Sequence, residues 1–550
     1  MTAPTTVPES AEQSQGAETA PAQPQKPRGR TASLAGAAGL IAVLTIVARL
    51  VGFGRIFVVS WALGVTSLGN IYQTINTLPN IIYEIVAGGA LAAVVVPLLS
   101  SAIARGDTRQ MNRTCWALLS WALLVLTPLA LLVAVFAHPI VSGLLGSDAS
   151  PTEIGLGTRM LWAFAPQLVL YGVGIVFTGV LQAHHRFAWP ALAPLLSSVT
   201  VIIAYVTFAA LAGTGATVVG LHRPAELVLS LGTTAGVAVL SLCLLIPMRR
   251  LGLSLRPSLQ FPPGVARRAA SLLGGGIAAV AAQQLTLLVV LRLAQRPVGA
   301  TVTYGLAQTV FYVPWAVLAV PIATSAFPRL SAAFAKRDTK TFASTLSSSA
   351  QAVILLCSCA AALLIASSAG IAGVITGVAH GRNSTNEIAG ALVGFAPGLV
   401  GFGLLALLSR SLYAAGISGL TAATTVAGWL VVIATDITLV RLVPVTDRVP
   451  ALAAGHSVGM TLLGIALLLL CRNRLGGQVL VGVGRSLLVA VATGAIGACL
   501  GYAVSRTVVG GSLPVSLVQL VLAGAVAAIG FVAALLVLDR ARCAVLWGLV

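Results

Sequence analysis

Of 550 residues, 58% are hydrophobic and only 8% charged, and the mean hydropathy is +0.99. No soluble domain of this length has that balance, so the chain reads as an all-α, polytopic membrane protein. The net charge of +19 comes from basic residues standing singly between apolar runs, without a continuous basic face, which excludes a nucleic-acid partner and fits the positive-inside rule.

Residues 1–31 are rich in Pro, Gln, Ser, Glu and Thr and predict a disordered cytoplasmic tail ending in the basic cluster Lys26, Arg28 and Arg30. With no apolar core of a signal peptide there, the first membrane helix serves as its own insertion signal. Fourteen spans follow, at 33–62, 70–98, 112–137, 156–182, 187–213, 227–247, 266–292, 301–328, 342–370, 388–414, 416–440, 450–471, 482–505 and 514–538. With the N-terminus inside, the inside segments collect 22 of the 32 basic residues. That asymmetry predicts a multi-pass protein of the bacterial cytoplasmic membrane with both termini cytoplasmic.

The first two spans carry charge near mid-depth: Arg49 and Arg55 on one, Glu84 on the other. A charge in hydrocarbon costs roughly 3 kcal/mol or more, so these residues face a cavity or a partner. Arg49 lies 17 residues before Thr66, in the connecting loop, and Glu84 lies 18 after it. Antiparallel helices rising about 1.5 Å per residue would put the two at nearly one depth, which predicts an Arg49–Glu84 pair and leaves Arg55 for an anionic ligand. Pro79 can bend the second helix and shift that register.

A duplication organises the rest. PLLSSAIARGDTR begins at Pro97 and PRLSAAFAKRDTK at Pro328, identical at seven of thirteen positions. The offset of 231 residues covers six spans, so the copies share an orientation. Two six-helix lobes around a central cavity follow, at 32–250 and 266–475, joined by a cytoplasmic linker, 251–265. Residues 476–550 add two C-terminal helices and a short cytoplasmic tail.

Other motifs carry less. The seven cysteines lie in or against apolar runs, against a disulfide framework. Cys357 and Cys359 point about 200° apart on a helix, and His184 and His185 have no acid beside them, so no metal site is expected. Gly274–Gly276 lacks the strand and Gly-Lys-Ser/Thr of a phosphate loop and predicts close helix packing or a hinge. The sequon at Asn383 reads as accidental. Gln283 and Gln284 can hydrogen-bond a sugar or bridge helices. Asp436 reads as paired with Arg441 or exposed at the interface. No Ser–His–Asp set or paired carboxylates converge, so the chain reads as a transporter rather than an enzyme.

The runs ARLVGFGR (48–55), Pro79–Asn80, GGAL-x-x-x-x-VP (88–97) and HRFAWPALAP (185–194) resemble the MurJ/MviN lipid II flippases of the multidrug/oligosaccharidyl-lipid/polysaccharide (MOP) exporter superfamily. The likeness is specific over residues 45–195 and looser through the FPRLS of 327–331. It implies the same plan of two six-helix lobes plus two helices. The implied activity is alternating-access transfer of a lipid-linked peptidoglycan precursor across the cytoplasmic membrane. The implied cargo is a polyprenyl-diphosphate-linked saccharide, and the implied surroundings are membrane lipid and proteins of cell-wall synthesis. Arg49 and Arg55 match the family's first-helix arginines, which the resemblance places on the diphosphate; a guanidinium's planar donor fork suits phosphate oxygens. Gly52 and Gly54 between them allow a bend or a close ligand approach.

The chain departs from the family in having Asn70 where an acid is usual, Ile81–Glu84 where an Arg follows Pro-Asn, and Gln308–Thr309 where an acid–Arg pair is usual. Either the headgroup differs or it is held by fewer charges, with Glu84 replacing a missing acid. The substrate-binding candidates are thus Arg49, Arg55, Asn70, Asn80, Glu84 and Gln308. Asp436, where some relatives resemble a sodium site, is the ion-coupling candidate. No cofactor is expected, the energy coming from membrane potential or an ion gradient. Alternatives are a lipid-linked polysaccharide translocase, a transport-inactive scaffold for cell-wall synthesis, and a cation-coupled drug exporter.

Overall fold

A computed structural model describes residues 28–86, 107–184, 186–251, 259, 265–378, 385–508 and 512–540. Residues 1–27 of the N-terminal tail, most of the linker, residues 97–106 of the first copy of the duplication, the GGAL motif, His185 and Asn383 lie outside the described residues, which contain helices and no strand; residues 28–31, expected to be part of the disordered tail, begin the first helix.

The helices of the N-terminal half are α1 (Arg28–Leu63), α2 (Ser67–Val86), α3 (Thr108–Val135), α4 (Ala137–Leu145), α5 (Pro151–Phe164), α6 (Gln167–Ala183), α7 (Ala188–Ala212), α8 (Arg223–Leu242) and the short α9 (Leu245–Arg249). The C-terminal half holds α10 (Val265–Leu293), α11 (Ala300–Pro314), α12 (Val320–Ala335), α13 (Thr339–Val378), α14 (Thr385–Phe395), α15 (Gly398–Ala414), α16 (Ser418–Leu442), α17 (Arg448–Leu475), α18 (Val483–Thr507) and α19 (Leu513–Leu538). Ten helices or helix pairs among the described residues are long and apolar enough to cross a membrane, and α14 with α15, bent by 45°, would be an eleventh. The count of fourteen would also need α1, α2 and α10.

The buried apolar side chains divide with the chain. One cluster draws its buried members from Ala282 to Leu535, and two others draw theirs from Ala62 to Leu229 and from Met111 to Met248. Lipid offers no hydrophobic drive between helices, so close backbone approach has to supply the packing. Gly401 of α15 lies against the Met460 backbone of α17, and Gly370 of α13 against the Leu520 backbone of α19, where a methyl group would collide. α18 and α19 pack on each other and on α13.

Contacts gather the α1–α2 turn and the α4–α5, α7–α8, α10–α11 and α16–α17 connections on one face, called here the turn face. Gly215 donates to the Ala62 carbonyl, Gly299 abuts Val65, and Arg296 pairs with Asp148 at 2.9 Å. The last two contacts, with a Gln295–Thr74 hydrogen bond of 3.1 Å, join the two halves of the chain. A bidentate pair, Arg159 to Glu226 at 2.6 and 2.9 Å, ties α5 to α8.

Between α11 and α12 the helix widens to one π turn at Trp315–Ala319, with Val320 N–H donating back to the Trp315 carbonyl. Prolines at 314 and 321 flank it, removing donors that a regular α-helical ladder would use.

Candidate functional site

A cavity of about 430 Å³ opens between the halves of the chain. α2 presents Asn80, Ile81 and Glu84 to it, since positions i, i+1 and i+4 share one side of a helix. α10 presents Gln283 and Gln284, and α11 presents Tyr304, Gln308 and Tyr312. Trp315 of the π turn, Phe402, Trp429 and His456 complete an aromatic wall. Gln283 and Gln284 therefore face open space. Among the described residues, Glu84 is the one carboxylate of this lining, and no lysine or arginine belongs to it.

The aromatic wall is built to hold its shape. Phe311 and Phe395 stack at 5.2 Å, and the His456 ring meets Phe311, Phe395, Phe402 and Trp429 at 5.4–6.1 Å between centroids. His456 is 2% exposed, and neither its Nε2 nor the Trp315 Nε1 has a hydrogen-bond partner among the described residues. Nothing in the sequence pattern marked these rings, although aromatic residues make up only 6% of the chain and several converge here.

Arg55 sits outside this lining, half-buried on α1 and within electrostatic reach of Tyr72, Tyr171 and Tyr205. The tyrosines connect it to the cavity. The Tyr171 hydroxyl donates to Asn80 Oδ1 at 2.7 Å, and its ring lies 4.4 Å from that of Tyr83. Tyr72 is anchored by hydroxyl contacts to Tyr205 at 2.7 Å and Thr233 at 2.9 Å. Among the described residues, no atom beyond the chain neighbours and the helix's own nearby backbone comes within 4 Å of where a Gly54 side chain would begin.

Three expectations need correction. Arg49 and Glu84 form no ion pair: Arg49 is exposed and borders a separate lateral cavity with Phe187, Pro190 and Pro194 of the α7 region. Equal spacing from the turn fixes depth but not azimuth. Six residues separate Arg49 from Arg55, which on an α-helix turns one about 120° from the other. Asn70 does not reach the central cavity either, because it lies one turn into α2 and lines a pocket at the turn face. Asp436 is neither exposed nor paired with Arg441. It is fully buried on α16, its Oδ1 pressed on Gly455 of α17, and both carboxylate oxygens lack a partner among the described residues. Gln308 and Asn80 line the cavity beside Glu84, and Thr309 instead donates to the Gly305 carbonyl at 2.8 Å.

The described residues contain no cluster of three or more His, Cys, Asp or Glu that could hold a metal ion. What remains is an amide-rich, aromatic-walled chamber between two helical halves in a membrane, the anatomy of a membrane transporter. Solved structures share that architecture. A lipid II flippase MurJ in an inward closed conformation superposes with a TM-score of 0.69 at 17% identity, over 91% of this chain and 99% of its own. An inward-facing multidrug-resistance MATE transporter of the MOP superfamily gives 0.64 at 12%, over 77% and 94%. The family model for lipid II flippase MurJ matches residues 59–523, and the chain belongs to that family. It is 26% identical over 385 residues to the lipid II flippase MurJ of Burkholderia cenocepacia, covering 67% of this chain and 71% of that protein. It is 29% identical over 254 residues to a probable lipid II flippase MurJ of Synechocystis sp., covering 44% of this chain and 45% of that one.

Proposed function

We propose that the chain transfers a polyprenyl-diphosphate-linked peptidoglycan precursor of the lipid II type across the bacterial cytoplasmic membrane by alternating access. Membership of the MurJ family supports the cargo class, and the chamber between the two halves supports the route. The observation that carries the reading is the split between a chamber lined by amides and aromatic rings with one carboxylate and the half-buried Arg55 guanidinium beside it. Asn80, Gln283, Gln284 and Gln308 offer neutral donors and acceptors to a saccharide, and the aromatic wall offers flat apolar faces to sugar C–H groups. Arg55 takes the diphosphate through its planar donor fork. Arg49, exposed in the lateral cavity beside α7, meets the headgroup before it enters. The polyprenyl tail stays in lipid throughout.

In this reading both termini are cytoplasmic, and the turn face is extracytoplasmic. Asp436 is the coupling residue: a buried carboxylate without a partner is costly unless a cation or proton visits it, so an ion gradient or the membrane potential drives the cycle.

The test is reconstitution. Proteoliposomes holding the wild-type chain and labelled lipid II should expose the label to a membrane-impermeant reagent. Arg55→Ala should slow exposure more than tenfold while the protein still folds. Equal rates for the two would remove the reading. Transfer of a different lipid-linked saccharide, with lipid II untouched, would favour a polysaccharide translocase on the same scaffold.

A further inference from the structure

On the turn face a second pocket, of about 480 Å³, also lies between the two halves of the chain. One wall is the start of α2, with Ser67 and Asn70, and the α4–α5 connection, with Asp148. The other is the end of α10, with Arg292, the α10–α11 connection, with Arg296, and the start of α17, with Arg448. The charges do not cancel. Arg296 pairs with Asp148, and Glu153, the remaining acid of the lining, accepts from Ser150 N and Oγ at 2.9 and 3.0 Å in a capping box. Arg292 and Arg448 have no ion pair among the described residues.

The geometry shows a prepared site. Gly146, at φ 89°, leaves room for the Arg292 guanidinium, whose Cζ and both Nη atoms lie 3.0 Å from where a Cβ would stand. Asn70 is 4% exposed, lines the pocket, and its Oδ1 finds no donor among the described residues. Across the gap, the buried Nε–H of Arg448 finds no acceptor among the described residues. One half therefore lacks a donor and the other lacks an acceptor, around the same space. The N-termini of α2 and α17 add partial positive charge there.

We propose that this pocket binds a phosphate that keeps one proton, either inorganic hydrogenphosphate or the phosphate-monoester head of a lipid. Its oxygens meet Arg292 and Arg448, and its O–H meets Asn70 Oδ1. Bound there, it ties α2 to α10 and α17 and holds the two halves together on this face. An acid at position 70 would pair with the arginines internally; the asparagine leaves the place for an outside anion. That such a ligand slows transport rests on the function proposed above, whereas binding itself does not.

The experiment uses the full chain purified in nanodiscs, with inorganic phosphate at neutral pH in one arm and a phosphatidic acid-doped bilayer in the other. In at least one arm the wild type should show a raised melting midpoint. That rise should be lost in Asn70→Asp and Arg448→Gln, with phosphate affinity at least tenfold weaker where inorganic phosphate is the ligand. Sulfate, which has the shape without the proton, should bind several-fold more weakly than phosphate. The arm that responds identifies the source of the phosphate group. Absence of a shift in both arms, an unchanged shift in folded Asn70→Asp, or equal binding of sulfate overturns the proposal. Absence of lipid II transfer by the wild type without added phosphate, with phosphate binding intact, would count against the proposed function alone.

Discussion

The two cavities between the halves of the chain are close in volume, about 430 and 480 Å³, and opposite in chemistry. The deeper one is lined by amides and aromatic rings with one carboxylate, and the turn-face pocket by three arginines and two acids. The difference follows dielectric. An arginine at a membrane face keeps part of its hydration, whereas one lining the deep chamber would pay the full cost of leaving water between visits of an anion. The chain places Arg55 just outside the chamber among tyrosine rings and hydroxyls, and leaves the chamber wall, Glu84 apart, to groups that need no counter-charge.

The sharpest way to break the comparison is to move charge inward. Gln308→Arg places a guanidinium in the amide-lined chamber and should abolish lipid II transfer in proteoliposomes, a loss beyond tenfold, with the protein still extracted as a folded monodisperse species. Next in size is the opposite manoeuvre. Glu84→Gln removes the chamber's one carboxylate and should change the rate a few-fold; a loss as complete as that of Arg55→Ala would mean the acid itself touches the cargo.

The remaining predictions probe how charges are held away from the chamber. Glu226→Ala strips the bidentate partner from Arg159, whose side chain is 34% exposed, and should lower stability by about 2 kcal/mol in a chemical unfolding titration, less than for a fully buried pair. Gly455→Ala drives a methyl group into Asp436 and should cost about 1–3 kcal/mol through overpacking of α16 on α17, read as a lower melting midpoint. The smallest effect lies at Asp338, which starts α13. Bonds from the Thr341 N–H at 3.0 Å and Oγ1 at 2.7 Å hold its carboxyl below the ordinary carboxylate value. Its stabilising contribution is therefore present above the unfolded-state value and lost as pH falls through the lower folded one. Asp338→Ala should lower the melting midpoint slightly at neutral pH and not at all in strong acid.

What the sequence made legible is the fold class and part of the chamber. Hydropathy marks helices wherever they are, and the four-residue spacing of Asn80 and Glu84 puts both on one helical side without knowledge of its neighbours. Arg49 faces elsewhere because counting residues from a turn gives depth, and the direction a side chain faces depends on how its helix is rotated against others; Asn70 is a candidate by resemblance alone, and its place one turn into α2 puts it at the turn face. Asp436 was misread because its burial is made by a glycine on another helix, and a missing side chain leaves no mark on local hydropathy. The aromatic wall was silent because its rings are drawn from five helical segments far apart in sequence.

The widened turn at Trp315–Ala319 has a mechanical consequence. One surplus residue per turn rotates everything beyond it by about 100° relative to a regular rod. That is how one continuous span can show Tyr312 and Trp315 to the chamber and then bury Ala323, Ala326 and Leu330 in the apolar interior. Deleting a single residue there would straighten the rod and swing either its rings or its alanines into the wrong surroundings, so the insertion acts as the joint that lets two differently addressed half-helices share one axis.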